Sequence, residues 1–467
     1  MFDSTSAGPG PVRAAKAGRG RHSPWLALLL AAIVASAASA VPPGSGLRAG
    51  ASVASAAADE VWITLGADAF ATASRLFVAD TDGLALARVA EVAGVVLTRV
   101  PRAGLPALSA RIHDELHRCG GFIAHANQAE AEAALARLAS PPYRAPGGTL
   151  PFAIDRPIEV AALAAAIDET QILATITALS TSFPNRFHAH PSGTASANWI
   201  RDLWAGFALG RPGVTVELFS HGAITPQPSV ILTIPGTTLG DQVVILGGHQ
   251  DSIQSDCWAN ATCDAPGADD DASGIATLSE VIRVALATNF APQRTVQFIA
   301  YAAEEVGLEG SDDIAATYLA ADTDVVAVLQ QDMTGYNGSV EDMALISDFT
   351  SPDLTAFLGE LLGNYQPTLL WTTSACGYGC SDHAPWTDRG YRAAFSFETR
   401  FGEHNPTIHS PSDTVATLGG SAAHAAKFAR LAVAFLVETT LDATAADIFS
   451  DGFESNDADR WSATVSP

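Results

Sequence analysis

Five short strings in the second half of this 467-residue chain concentrate side chains that bind dications or move protons. GGHQDS holds His249 and Asp251, and APGADDDASG holds Asp269, Asp270 and Asp271. YAAEEVGLEGS holds Glu304 and Glu305, LQQDMTGY holds Asp332, and NPTIHSPSDT holds His409. A histidine just past an apolar strand is a reasonable metal ligand, and an aspartate two positions on can accept from its other ring nitrogen. Adjacent glutamates at a strand end point in different directions, so one can bind metal while its neighbour shuttles a proton. Alone, each string reads equally as loop polarity, an acidic helix cap or an exposed turn. Together, His249, Asp269, Glu305, Asp332 and His409 form a set of two imidazoles and three carboxylates. Such a set suits two dications about 3.5–4 Å apart with one bridging carboxylate. The mixed donors favour Zn²⁺, with Co²⁺ or Mn²⁺ able to substitute.

The elements that must position these residues are legible as apolar runs. Val243–Gly248, a run from Thr295 to Tyr301, VVAVLQ from Val325, MALIS from Met343 and AAFSF from Ala393 read as buried strands. SGIATLSEVIRVAL between the first two reads as a helix, with Ile275, Leu278, Ile282 and Leu286 near one face. Alternating strands and helices imply a mostly parallel sheet flanked by helices, with ligands gathering beyond the carboxyl ends of its strands.

With these elements in place, the strings GGHQDS, APGADDDASG, YAAEEVGLEGS, QDMTGY, CGYGCSDHAPW and NPTIHSPSDT closely resemble the secreted bacterial leucyl aminopeptidases of the two-zinc kind. They occur in that family's order and at similar spacing, over about Pro157 to Leu441. The resemblance implies an α/β fold: a three-layer α/β/α sandwich around a mixed, mostly parallel eight-stranded sheet. It implies His249 and Asp332 on one zinc, Glu305 and His409 on the other, and Asp269 bridging. Glu304 would be the general base, and Asp251 the partner that orients His249. A cis peptide between Asp269 and Asp270 and a Cys376–Cys380 disulfide are also implied. The pocket for the first side chain would be formed by Met333, Ile346, Tyr378, Phe397, Phe401 and Ile408. Phe395 and His404 stand where the family leads us to expect a methionine and a tyrosine. The substrates implied are peptides with a free N-terminus and a large apolar first residue, hydrolysed by a monomer.

Composition sets the remaining boundaries. Hydrophobic residues make up 48% and charged residues 16%, enough for a large core, and the net charge of -25 disfavours nucleic acid and anionic membranes as partners. Residues 1–40 read as a signal peptide: Arg13, Lys16, Arg19 and Arg21, an apolar stretch from Trp25 to Val34, then Ala38-Ser39-Ala40. An uncleaved anchor is the alternative. Export would make the protein extracellular, free of the membrane once the signal is removed, and would permit disulfides. Residues 41–150 read as a small α+β pro-segment ending in the breaker cluster from Ser140 to Pro151, with a retained accessory domain as the alternative. In it, VAGVVLTRV reads as a strand and Ala129 to Leu138 as a helix. Similar precursors carry a pro-segment that assists folding and blocks the site. Residues 151–442 are then the catalytic domain and 443–467 an acidic tail. Of five cysteines, Cys376 and Cys380 could bridge across a loop with two glycines, Cys257 and Cys263 could form a second bridge, and Cys119 would be left over.

Two motifs mislead. His188-Ala-His190 looks like a metal pair but has no acids nearby in sequence, and Ser381-Asp382-His383 lists triad residue types at positions that do not by themselves give triad geometry. The competing functions are a glutaminyl cyclase or a carboxypeptidase of the same fold, or a binding protein without catalysis.

Overall fold

The computed structural model describes residues 60–80, 86–116, 118, 121–125, 127–139, 150–254, 257 and 262–442. The expected signal peptide, the pro-segment junction at 140–149, the acidic tail and Cys119 lie outside the described residues. An N-terminal unit comes first in the chain, with strands β1 (Glu60–Gly66), β2 (Ala90–Val92), β3 (Val95–Pro101) and β4 (Phe122–His125) and helices α1 (Ala67–Asp80), α2 (Leu105–Leu116) and α3 (Gln128–Ala139). Its antiparallel sheet has the order β2-β3-β1-β4. Val61, Ile63 and Leu65 alternate onto the face covered by α1 and α2, and Val95 and Leu97 pack against α3. The segment VAGVVLTRV is not one strand: Ala93 and Gly94 both take positive φ and turn the chain between β2 and β3.

The larger unit follows. Its helices are α4 (Pro157–Ala164), α5 (Glu169–Ser182), α6 (Pro191–Phe207), α7 (Ala272–Ala287), α8 (Glu309–Ala320), α9 (Pro352–Tyr365), α10 (His383–Asp388) and α11 (Ala425–Thr440). Its strands are β5 (Thr215–Phe219), β6 (Ser229–Ile234), β7 (Leu239–His249), β8 (Arg294–Tyr301), β9 (Asp324–Gln331), β10 (Met343–Ile346), β11 (Trp371–Ser374) and β12 (Ala393–Phe397). They form one eight-stranded mixed sheet ordered β11-β10-β12-β9-β7-β8-β6-β5. The central strands β12, β9, β7 and β8 run parallel, and antiparallel pairings flank them on both sides.

Period-two alternation divides the strand residues between two helical layers. Val244, Leu246, Val296, Phe298, Ala327 and Leu329 meet α4–α7, α9 and α11 on one face. Val243, Ile245, Ile299, Tyr301 and Val328 meet α8 and α10 on the other. Helix α7 is buried from Ala272 to Ile282 on all sides, its Ser273, Thr277, Ser279 and Glu280 included. Its first turn lies hard against the end of β9, because a Cβ on Gly274 would come within 2.3 Å of the Gln331 carbonyl oxygen. That close approach brings the Asp269–Asp271 run to the same sheet edge as Asp332. Among the described residues no single helix is long and apolar enough to cross a membrane.

The two units are joined by hydrogen-bonded and apolar contacts and an ion pair. The Ala124 amide donates to the Gly307 carbonyl at 3.0 Å, Ile123 packs on Leu308 and Ala384, and Arg102 pairs with Glu309. Gly307 has φ of +111°, and a Cβ there would sit 2.7 Å from the Phe122 ring, so both its conformation and its neighbour call for glycine.

Candidate metal centre

His249 is the last residue of β7, Glu304 and Glu305 follow β8, and Asp332 follows β9. These are adjacent parallel strands, so their carboxyl ends deliver the four side chains to one edge. His409 arrives from the loop between β12 and α11. All are buried, as are Asp251 and the three consecutive aspartates. His249 Nε2 lies 3.0 Å from Asp270 Oδ1 and 3.5 Å from Asp332 Oδ1. His409 Nε2 lies 2.7 Å from Glu305 Oε2 and 3.2 Å from Asp270 Oδ2. One carboxylate therefore stands between two imidazoles that come from opposite ends of the domain sequence.

That carboxylate belongs to Asp270, which corrects the sequence reading of Asp269 as the bridging residue. The non-proline cis bond is likewise between Asp270 and Asp271, not Asp269 and Asp270. The neighbours have other partners. Asp269 Oδ1 accepts the Gly335 amide at 2.9 Å, and its own backbone N–H is held by the Asp413 carboxylate. Asp271 caps α7 by accepting from Gly274, and also accepts from the amides of His249 and Met333. It lies within metal-binding reach of His249 and Asp332, but those three amides already occupy its oxygens. Three identical residues in a row give the sequence no means of choosing among them; the amides that meet two of them make the choice.

The surrounding residues fix the geometry. Asp251 Oδ1 is 3.5 Å from His249 Nδ1, and the same carboxylate accepts the amides of Glu304 and Glu305. Ser381 donates to Asp332 Oδ2 at 2.6 Å. Asp413 accepts the amides of Asp269 and Asp270 and the Asn405 side chain. The guanidinium of fully buried Arg186 donates to the carbonyls of Gln250, Pro266 and Gly267, tying the loop after β7 to the aspartate run. Sequence reasoning missed Asp270, Asp413, Ser381 and Arg186. Asp270, Ser381 and Asp413 lie within APGADDDASG, CGYGCSDHAPW and NPTIHSPSDT, but only the fold gives them their partners. Ala303, Met333 and His409 all adopt left-handed backbone with φ of 53–54°. Such strained positions next to a site persist when the surroundings hold them there.

Electrostatics match the geometry. Burial alone would push the His249 imidazole down, but Asp332 and Glu304 outweigh it and hold it well above the usual range. His409 is held up at about 10, where Glu305 and Asp270 overcome burial. Burial pushes Glu305 up to about 7 and Glu304 well above the usual carboxylate range. Asp270 goes the other way: against burial, the two histidines pull it below its ordinary value. Glu304 Oε2, Glu305 Oε1 and Asp332 Oδ1 are buried without a hydrogen-bond partner. Buried oxygens so placed call for a cation or an ordered water. His249, Asp270 and Glu305 also form a set whose ligand atoms lie within 4.8 Å of one another. The donor set therefore fits a dication.

Beside these acids lies an apolar cluster of Met333, Ile346, Tyr378, Phe395, Phe397 and Ile408, with Phe401 packed against it. All six pocket residues expected from the sequence are thus together. His404 joins them through ring contacts with Phe397 and Phe401. The Cys376–Cys380 disulfide is present within this cluster, and Cys257 is bonded to Cys263. Neither misleading motif takes the role its residue types suggest. His188 bonds Thr225, His190 bonds Asn185, and both rings pack on Phe187. His383 is buried against Phe395, with burial lowering it to about 3, while Ser381 serves Asp332.

A mixed sheet with an acid-and-imidazole cluster at its carboxyl edge and an apolar cluster beside it defines a metal-dependent hydrolase of the α/β/α class. Residues 229–434 match peptidase family M28. A protein of Arthroderma benhamiae named "Probable leucine aminopeptidase" is 36% identical over 332 residues, covering 70% of this chain and 87% of that protein. "Leucine aminopeptidase 1" of Coccidioides posadasii is 39% identical over 272 residues, covering 55% of this chain and 68% of its own length. The crystal structures of LapB and of the LapA aminopeptidase, both from Legionella pneumophila, superpose with TM-scores of 0.68 and 0.66 at 26% and 27% identity. Each covers 82% of this chain, and the matches span 100% and 98% of those chains. The chain belongs to peptidase family M28 and is a metallo-aminopeptidase.

Proposed function

We propose that the protein is an exported leucyl-type aminopeptidase that cleaves large apolar N-terminal residues, using two zinc ions and Glu304. The observation that carries the reading is the convergence of His249 and His409 on Asp270, at 3.0 and 3.2 Å, beside the unpartnered Glu304 oxygen. Asp332 and His249 would hold one ion, Glu305 and His409 the other, with Asp270 shared. When bound, the ions acidify the attacking water and polarise the scissile carbonyl. Glu304, kept out of solvent with Oε2 unpartnered, accepts the water's proton and delivers it to the departing amine. Asp251 keeps the His249 ring oriented and fixes the Glu304–Glu305 backbone through two amides. The cluster around Met333, Tyr378, Phe397 and Phe401 receives the first side chain. The acid-rich centre attracts the α-amine and so confines cleavage to the terminus.

The N-terminal unit, packed along the Gly307 turn beside Glu304–Glu305, acts in this reading as a removable pro-segment after export by residues 1–40. Two substrates test the function: a leucyl anilide and a peptide beginning with Gln. The segment-free protein should release the aniline and should shorten the Gln peptide, if at all, without cyclising it. Cyclisation with no anilide hydrolysis would replace this function with that of a glutaminyl cyclase. Glu304→Gln should retain its metal while losing at least about 10²-fold in turnover. Parental turnover in that variant would remove Glu304 from its role.

A further inference from the structure

We infer that His113 is a built-in occupant of the metal centre: an imidazole that the N-terminal unit delivers to the place where a peptide's free amine would arrive. The inference rests on the functional reading above and adds a residue to it. His113 lies on α2, whose Leu105, Leu108 and Ile112 are buried in the unit's own core. One position past Ile112, about 100° further round the helix, His113 leaves that core. It enters the other unit, where its ring centroid is 4.5 Å from that of His409 at an interplanar angle of 43°. The His409 ring in turn presents Nε2 to Glu305 and Asp270. An imidazole from outside the catalytic unit is therefore in ring contact with one of the centre's own nitrogen donors.

The surroundings hold it there. Arg118, two residues past the end of α2, places its guanidinium 5.2 Å from the centroid of the Tyr378 ring in the apolar cluster. Asp68 fixes that guanidinium with two hydrogen bonds, of 3.0 and 2.6 Å. On the far side, β4 lies along Gly307, and Ile123 comes so close to Gly379 that a Cβ there would sit 2.6 Å from its Cδ1. Helix α2, Arg118 just beyond it and strand β4 thus reach His409, the apolar cluster and the turn after Glu304–Glu305 together. A bulky apolar side chain at this position would give simple steric cover. Here the side chain is a nitrogen donor, of the same chemical class as the substrate's amine and with affinity for the same dications.

The uncut protein loaded with Co²⁺ tests this, because the visible absorption of cobalt reports the donors around it without any turnover. His113→Phe keeps an aromatic ring against His409 but removes the nitrogen; His113→Ala removes both. Both variants, uncut, should show a cobalt band shifted from that of the parent, toward that of protein freed of the N-terminal unit by limited proteolysis. Their leucyl-anilide turnover before any cut should rise at least tenfold. Identical bands in the parent and His113→Phe would overturn the inference, leaving a cover that works by bulk. A band shift in protein that hydrolyses no anilide in any form would support the occupant while refuting the aminopeptidase reading. Failure of every form to take up cobalt would overturn both.

Discussion

Replacing one aspartate of a run of three should empty the centre, and replacing its neighbour should not. Asp270 has one oxygen 3.0 Å from His249 Nε2 and the other 3.2 Å from His409 Nε2, so it serves both halves of the site. Asp269 Oδ1 instead accepts the Gly335 amide, and among the described residues no ion pair joins Asp269 to either imidazole. Removing a group that merely supports a metal ligand costs 10–100-fold in affinity. A shared ligand should cost at least the upper end of that range, about 10²-fold or roughly 2.7 kcal/mol, at each ion it touches. Asparagine keeps the shape of the side chain and removes the charge that opposes His249 and His409. Purified Asp270→Asn and Asp269→Asn would be dialysed against graded chelator and their zinc content measured. Asp270→Asn should release both ions at a free-metal level at least about 10²-fold higher than the parent. Asp269→Asn should hold them within about tenfold of the parent, its loss confined to the turn at Gly335. If Asp269→Asn lost zinc while Asp270→Asn kept it, the assignment from distance would be wrong.

Other outcomes follow from the same geometry. Glu309 and Asp312, buried where the two units meet, are each pushed up to about 7, by burial against the pull of Arg102 and Arg389 respectively. An acid whose folded pKa is raised stabilises the fold below its unfolded value, and that contribution is lost as pH rises through the folded one. Urea midpoints should therefore fall between pH 5 and 8, and Glu309→Gln should shrink the fall; an unchanged pH profile in that variant would contradict the burial argument. Cys376→Ser with Cys380→Ser opens a loop of sequence separation 4, a chain-entropy effect of about 2 kcal/mol. Because that loop carries Tyr378 into the apolar cluster, KM for leucyl substrates should rise more than kcat falls. Equal KM in the two proteins would show that the loop is held without its bridge. Asp251→Asn should lower metal affinity 10–100-fold, measured by chelator competition, and an unaltered affinity would exclude its role in orienting His249.

Much of the catalytic domain is legible in the sequence because its strands are continuous apolar runs bounded by breakers. Val243–Gly248, Thr295–Tyr301 and Ala393–Phe397 all lie within observed strands. Their carboxyl ends are where the rule for parallel sheets puts ligands, so residue order alone groups His249, Glu304, Glu305 and Asp332. What escapes depends on backbone direction and on contacts distant in sequence. The choice of Asp270 over Asp269 and Asp271 is made by the amides of Gly335 and Gly274 respectively, which no spacing reveals. The turn at Ala93–Gly94 hides in an apolar string, because Ala93 takes a positive φ that its residue type does not advertise. Helices α1 and α2 and strand β4 carry no comparable signal, and with them is hidden His113, a lone histidine on an amphipathic helix that becomes meaningful only through the ring it touches. Asp413 and Arg186 show the same limit: the aspartate-run amides that Asp413 accepts and the carbonyls that Arg186 meets lie more than sixty residues away.

The most direct measurement is turnover of a leucyl anilide by the segment-free protein as zinc is returned to it in known amounts after complete chelation. The account predicts no measurable rate in metal-free protein and a rate that climbs with added zinc, reaching its plateau at two ions per chain. Full turnover by protein shown to contain no metal would contradict it outright, and a plateau at one ion would break the pairing of His249 with Asp332 and of His409 with Glu305 across Asp270.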